Sequence, residues 1–211
     1  MHQLQPLPQF RELLEQLYRE RTLTPFATGM PIPLPEEVVA IVCRGVVQLS
    51  AIHDNGDETL LGLAGPSAPI GLPLTVVDPY QAHALSPVDI LYLPLAEIEA
   101  SNELAAGLCR QMMARLRQAE AWLALSGKRP VSQRLRHLLT LLADDFGQEQ
   151  EGRTRIAVRL THQQLANAIG TTRVTVTRLL SAFRKENWLV FDPQRHIVVD
   201  RARLEHQSWR S

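Results

Sequence analysis

The segment that most limits how this chain can fold is THQQLANAIGTTRVTVTRLL, Thr161 to Leu180. Thr161 is suited to cap a helix and Gln164, three residues on, to return the bond, which is a capping box. Leu165, Ala166 and Ile169 form the inner face of that helix, with small Ala166 where a second helix crosses closely. Gly170 supplies a sharp turn at positive φ, a conformation that a Cβ disfavours. Thr171 or Thr172 caps the second helix, and Val176, Leu179 and Leu180 are expected on its inward face. A small residue, a glycine and inward aliphatics in this order predict a helix-turn-helix.

The exposed start of the second helix then reads as a nucleic-acid surface. Arg173, Val174 and Arg178 face outward, and an arginine fork matches the O6 and N7 acceptors of guanine in a major groove. Val174 offers only apolar contact to a thymine methyl, or space. Thr161, His162, Thr172 and Thr175 stand where hydroxyls, imidazole and helix-start amides meet phosphates, contacts that position without specifying sequence. A solvated helix face is the competing reading. Asn187 to Val199 holds two short β-prone runs around Asp192-Pro193-Gln194-Arg195. They predict a hairpin wing whose tip carries Arg195, either a further phosphate contact or an ordinary surface arginine.

Charge supports that reading once the chain is divided. The whole is neutral, but from Lys128 onward there are 15 Lys and Arg against 8 Asp and Glu, a net +7, and the preceding part is −7. Only a module that approaches phosphate needs the positive excess. Cys43 and Cys109 form no CxxC pair and no disulfide framework, which fits a reducing, cytoplasmic setting. The N-terminus lacks an apolar signal-like core. Leu60 to Val77 is uncharged, yet Pro66, Pro69 and Pro73 with Gly62, Gly65 and Gly71 break it, so buried strands and tight loops are expected rather than a membrane span.

Along the chain, Phe10, Leu13, Leu14 and Leu17 recur at helical spacing near the start. Ile32 to Leu93 carries short runs, Val38 to Val42 and Gly45 to Ile52 among them, punctuated by Gly, Pro and the turn Asp54-Asn55-Gly56-Asp57. That texture predicts an all-β module. From Asn102 to Leu125, Cys109, Met112, Leu116, Ala119 and Leu123 step by three and four. So narrow a heptad stripe predicts a parallel dimer seam, the alternative being a helix packed on its own β-module. Ser126-Gly127-Lys128-Arg129-Pro130 reads as a hinge, Leu135, Leu138, Leu139, Leu142 and Phe146 as the next amphipathic helix, and Gly147 to Gly152 as a polar loop. The expected class is α+β: an N-terminal β-roll over 1–101, a long dimerisation helix over 102–127 and a C-terminal winged helix-turn-helix over 128–211.

In this order of parts, and most closely over AIGTTRVTVTRLL, the chain resembles the CRP/FNR regulators, in particular their cyanobacterial nitrogen-regulator branch. The resemblance implies a homodimer on double-stranded DNA that works with RNA polymerase. It implies that Arg173 reads guanine, that Arg178 assists, and that Val174, where a glutamate often stands, favours half-sites of GTA with an inverted TAC. The sensor half departs from its relatives. Where cyclic-nucleotide binders carry a Phe-Gly-Glu segment and an Arg-Ser pair, this chain has Ile70-Gly71-Leu72-Pro73 and Asp78-Pro79; an aspartate facing a phosphate repels it, so cyclic AMP is not expected. The cysteine set of iron–sulfur members is missing as well. Arg115 and Glu120 match a 2-oxoglutarate-binding arginine and glutamate, but Asp78 falls near the place of the second arginine.

An effector pocket, if present, is therefore expected among Ile70, Gly71, Leu72, Arg115 and Glu120, with 2-oxoglutarate the ligand left open. The heptad offers a structural alternative: Arg115 at g and Glu120 at the following e, paired reciprocally across a dimer. No metal or resident cofactor is expected. Nor is catalysis, since His53, His83, His162, His196 and His206 are scattered and no HExxH, GxSxG or glycine-rich phosphate loop occurs. Two other readings stay open: an architectural DNA-binding protein, and a β-roll regulated by a protein partner with no small-molecule effector.

Overall fold

The computed structural model describes residues 8–206; the ends of the expected first and last domains, 1–7 and 207–211, lie outside it. By its own contacts the chain divides into two units, and the division falls between residues 119 and 120, inside one long helix. The fold is α+β: a β-rich N-terminal part, the long helix, and a C-terminal helix-turn-helix with a wing.

In the first unit, α1 (Pro8–Glu20) precedes seven strands: β1 (Thr24–Phe26), β2 (Val38–Arg44), β3 (Val47–Ile52), β4 (Glu58–Ala64), β5 (Pro69–Ile70), β6 (Tyr80–Ala84) and β7 (Val88–Pro94). A short helix, α2 (Leu95–Ala100), leads into α3 (Asn102–Ser126). The strands form two sheets, ordered β1-β7-β2-β5 and β4-β3-β6. Successive side chains of a strand point to opposite faces, and here both faces of β2 and β7 are buried. Ala40, Val42, Val88 and Ile90 enter the core shared with Val47, Leu49 and Ala82. Val39, Ile41, Leu91 and Leu93 pack with Phe10, Leu14 and Leu17 of α1 and Leu104 and Leu108 of α3. Burial on both sides explains why these strands read as unbroken apolar runs rather than as an alternation. The uncharged stretch from Leu60 becomes β4, β5 and a 3₁₀ turn, and no described helix is long and apolar enough to cross a membrane.

Gly107, the single glycine of α3, has a packing reason: a Cβ there would lie 1.8 Å from the Phe10 ring. Helix α3 carries two stripes. Leu104, Leu108, Gln111, Trp122 and Leu125 are buried, with Arg115 and Gln118 half-buried between them. On the other side Cys109, Ala119 and Glu120 are exposed and Met112 is half-buried, while Leu116 and Leu123 are 59% and 73% exposed. Both alternatives for this helix thus have a face: one stripe against its own chain, one apolar stripe left outward.

The second unit holds α4 (Val131–Phe146), β8 (Gly147–Gln150), β9 (Arg153–Ile156), α5 (His162–Ile169), α6 (Arg173–Lys185), β10 (Leu189–Phe191), β11 (Ile197–Val199) and α7 (Arg201–His206). Its sheet runs β10-β11-β9-β8. Leu135, Leu138, Leu139 and Leu142 of α4 are buried as their spacing predicts. Two expectations are corrected. Gly147 to Gly152 is not a loop, because Gly147–Gln150 pairs with β9 through a turn at Glu151 and Gly152, both at positive φ. All four residues of that edge strand are exposed, so no apolar alternation marked it. The inward face of α6 is Val176, Leu180 and Phe183, and Leu179 is half-buried. Phe183 stacks on Trp188 at 4.9 Å, and the Arg136 guanidinium lies 5.0 Å over that same ring.

Candidate nucleic-acid interface

The helix-turn-helix is held by local bonds. The Thr161 side chain accepts from Gln164 N, and Gln164 Oε1 accepts from Thr161 N at 2.8 Å, completing the capping box. Gly170 sits at φ 61, ψ 58. Of the two threonines that follow, Thr172 is the cap, accepting from Thr175 N at 3.2 Å. Leu165, Ala166 and Ile169 are buried, and α5 packs against α6.

Helix α6 then presents two exposed stripes. Val174 is 78% exposed, and Arg178, one turn on, is exposed beside it. On the flank, Arg173 and Thr177 are succeeded by Arg184, which stands eleven residues after Arg173 in the same helix; eleven residues are about three turns and return to the same side. This flank borders a cleft of about 890 Å³ whose lining includes Arg159, His162, Arg173, Arg184, Phe191 and Arg195. Thr161 and Gln163 border it as well. The structure therefore gathers Thr161, His162, Arg173 and Arg195 into one concave surface, and leaves Val174 and Arg178 on the adjoining outward stripe. Thr172 and Thr175 are engaged with each other, their hydroxyls 3.0 Å apart.

Four arginines border this cleft, and Asp192 is the one carboxylate among the described lining residues. Asp192 is already occupied. Its Oδ2 accepts from Arg155 Nε at 2.7 Å and its Oδ1 from His196 N at 2.7 Å. Burial opposes its charge, but these two hydrogen bonds outweigh that and hold the carboxyl below the usual range. The same bonds set the wing, in which Arg195 at φ 67 occupies the tip. The His162 pKa is lowered first by burial and then by Arg173 and Arg195, and its Nδ1 meets Thr177 Oγ1 at 2.8 Å. A concave cationic surface between recognition helix and wing suits a sugar-phosphate strand.

Arg159 and Arg184 were not singled out in the sequence. The signal for Arg184 was its spacing from Arg173; for Arg159 it was its place just ahead of the Thr161 cap.

In the first unit the expected effector residues do not converge. Ile70 and Gly71 are buried, whereas Leu72 borders a depression of about 300 Å³ with Pro31, Ile32, Leu34, Tyr80 and His83. Of the five expected residues Leu72 alone lines it among those described. Arg115 is turned to the free edge of β4, donating to Leu63 O at 3.4 Å and to Gln118 Oε1 at 2.7 Å, while Gln118 Oε1 accepts from Leu63 N at 3.2 Å. Within the single chain Arg115 lies on the inward stripe of α3 and Glu120 on the outward one. No group of His, Cys, Asp and Glu among the described residues could hold a metal ion.

A family model described as a Crp-like helix-turn-helix domain matches residues 133–207. The global nitrogen regulator of Synechocystis is 30% identical over 182 residues, covering 82% of this chain and 81% of that one. The regulatory protein CysR of Synechococcus elongatus is 33% identical over 157 residues, covering 73% and 72%. Among solved structures, a CRP-family transcriptional regulator of Thermus thermophilus aligns with TM-score 0.72 at 20% identity over 86% of this chain and 94% of that one. A CooA variant of Carboxydothermus hydrogenoformans aligns with TM-score 0.73 at 17% identity over 97% and 98%. These two show the shared fold. With a capped, winged helix-turn-helix behind a β-roll, and with relatives of this identity over most of its length, the chain belongs to the CRP/FNR family of DNA-binding transcription regulators.

Proposed function

We propose that this regulator acts in the cytoplasm as a homodimer, joined through the outward stripe of α3 over 102–127, with residues 1–101 as the β-roll and 128–211 as the reader. Two α6 helices enter successive major grooves roughly 34 Å apart. Arg173 and Arg178 read guanine, Val174 leaves the neighbouring position to an apolar contact, and the half-sites are GTA with inverted TAC. Thr161, His162, Thr172, Thr175 and Arg195, together with Arg159 and Arg184, hold phosphates. RNA polymerase is the partner on the promoter. The observation that carries this reading is the cleft bordered by four arginines whose one carboxylate is already neutralised.

The proposal includes independence from cyclic AMP. The depression beside Leu72 has no Lys or Arg among its described lining residues, and a phosphate buried without a cation is costly. The same lack of cations disfavours 2-oxoglutarate there, so control through a protein partner or through abundance fits better.

The test compares a GTA/TAC duplex with a scrambled one at equal salt, with and without cyclic AMP and 2-oxoglutarate. Arg173→Ala is expected to lose about 1 to 3 kcal/mol of discrimination per base contact. Undiminished preference in that variant removes Arg173 as the reader, and no preference in the wild type favours an architectural role.

A further inference from the structure

We propose that Arg134 is a positioning residue through which the 127–130 linker sets the pose of the recognition helix. Arg134 lies in the first turns of α4. Its Nη1 donates to Lys128 O at 3.3 Å and its Nη2 to Gly170 O at 3.4 Å. Lys128 is the linker residue whose own N–H donates to Leu125 O at 3.1 Å, so it follows the last turn of α3. Gly170 is the left-handed residue that ends α5, two positions before the Thr172 cap of α6. One side chain thus joins the end of the long helix to the turn that aims Arg173.

The chemistry suits a coupling role. The last carbonyls of a helix have no intrahelical donor, and a nearby arginine can supply one. The guanidinium is planar and rigid, so its two donors move together. A displacement of the Lys128 carbonyl must then break that bond or pull on the turn at Gly170. The third donor, Nε–H, is buried and has no hydrogen-bond acceptor among the described residues. A buried donor without an acceptor is unfavourable, and a linker carbonyl that moved to it would be held there. This inference rests on the reading of α6 as the base-reading helix, and its test separates the two.

Full-length protein is examined by amide hydrogen exchange and by duplex binding. Arg134→Met is expected to raise exchange severalfold in both 125–130 and 168–174, and to change the melting temperature by only a few degrees. Its discrimination between the GTA/TAC and scrambled duplexes should fall about tenfold, equivalent to about 1.4 kcal/mol, with affinity for the scrambled duplex unchanged. Arg134→Lys, which keeps the charge but not the fork, should lie between it and the wild type, and serves in its place if Arg134→Met does not fold. Thr172→Ala should loosen 168–174 alone. The proposal is overturned if one segment loosens without the other in Arg134→Met, or if melting and binding to both duplexes fall together, which is the behaviour of a purely structural residue. A wild type blind to base order would remove the base-reading assignment, while the exchange measurement would still decide the role of Arg134.

Discussion

At the scale of single residues, the proposed phosphate contact at His162 predicts a link between DNA affinity and pH. Burial and the neighbouring Arg173 and Arg195 lower its pKa from 6.5. The folded protein therefore takes up its proton later than the unfolded chain, and this residue's contribution to stability declines as pH falls below about 6.5. A phosphate in the cleft acts in the opposite sense, because negative charge favours the imidazolium. Affinity for DNA is expected to rise as pH is lowered from about 7.5 to about 6, and His162→Gln to flatten that rise. Anisotropy titrations at constant ionic strength measure both; a wild type with the same slope as the variant would take His162 out of the interface. Gly170 and Thr161 were legible in the sequence because their partners lie within a few positions. The direction of Arg115 was not, since Leu63 is 52 residues away.

At the scale of elements, α3 carries two stripes, one against its own chain and one facing outward. Its inward stripe covers the free edge of β4, where Arg115 and Gln118 take up the backbone groups of Leu63; an uncovered edge would be a template for aggregation. Its outward stripe leaves Leu116 and Leu123 exposed in the single chain. Leu116→Glu is therefore expected to leave the thermal stability of the isolated chain nearly unchanged and to weaken self-association at least about 100-fold, since burying one leucine contributes about 1.5 to 3 kcal/mol and each protomer loses one. Sedimentation equilibrium reads this directly, and an unaltered dimer would move the interface elsewhere. Other elements are fixed by ionic and polar ties. Arg21 grips Glu97 with both donors, at 2.9 and 2.6 Å, holding the end of α1 to α2. In the second unit α7 is secured by Arg136 to Leu204 O at 2.9 Å, by Arg203 to Glu186 O at 3.1 Å and by the pair Arg201–Asp144.

At the scale of the whole molecule, the neutral total conceals an acidic half and a basic half, and DNA is approached by the basic one. If two readers are joined at α3, their separation is fixed. Inserting about five base pairs between half-sites turns one of them by half a helical turn, and affinity should drop to that of a single half-site; a gel-shift series with graded spacers shows it, and tolerance of every spacer would contradict a rigid two-reader dimer. By itself the sequence determined the helix-turn-helix, the helical and β-rich regions, and the residues at the start of α6. Each of these is written in caps, turns and periodicities that act over a few neighbouring positions. Only the tertiary structure decided which stripe of α3 meets its own chain, because a heptad repeats equally well on either face. It alone brought Arg159, Arg184 and Arg195 to one cleft and Arg134 between Lys128 and Gly170, because those meetings depend on how distant elements pack, and no local preference of the backbone encodes them.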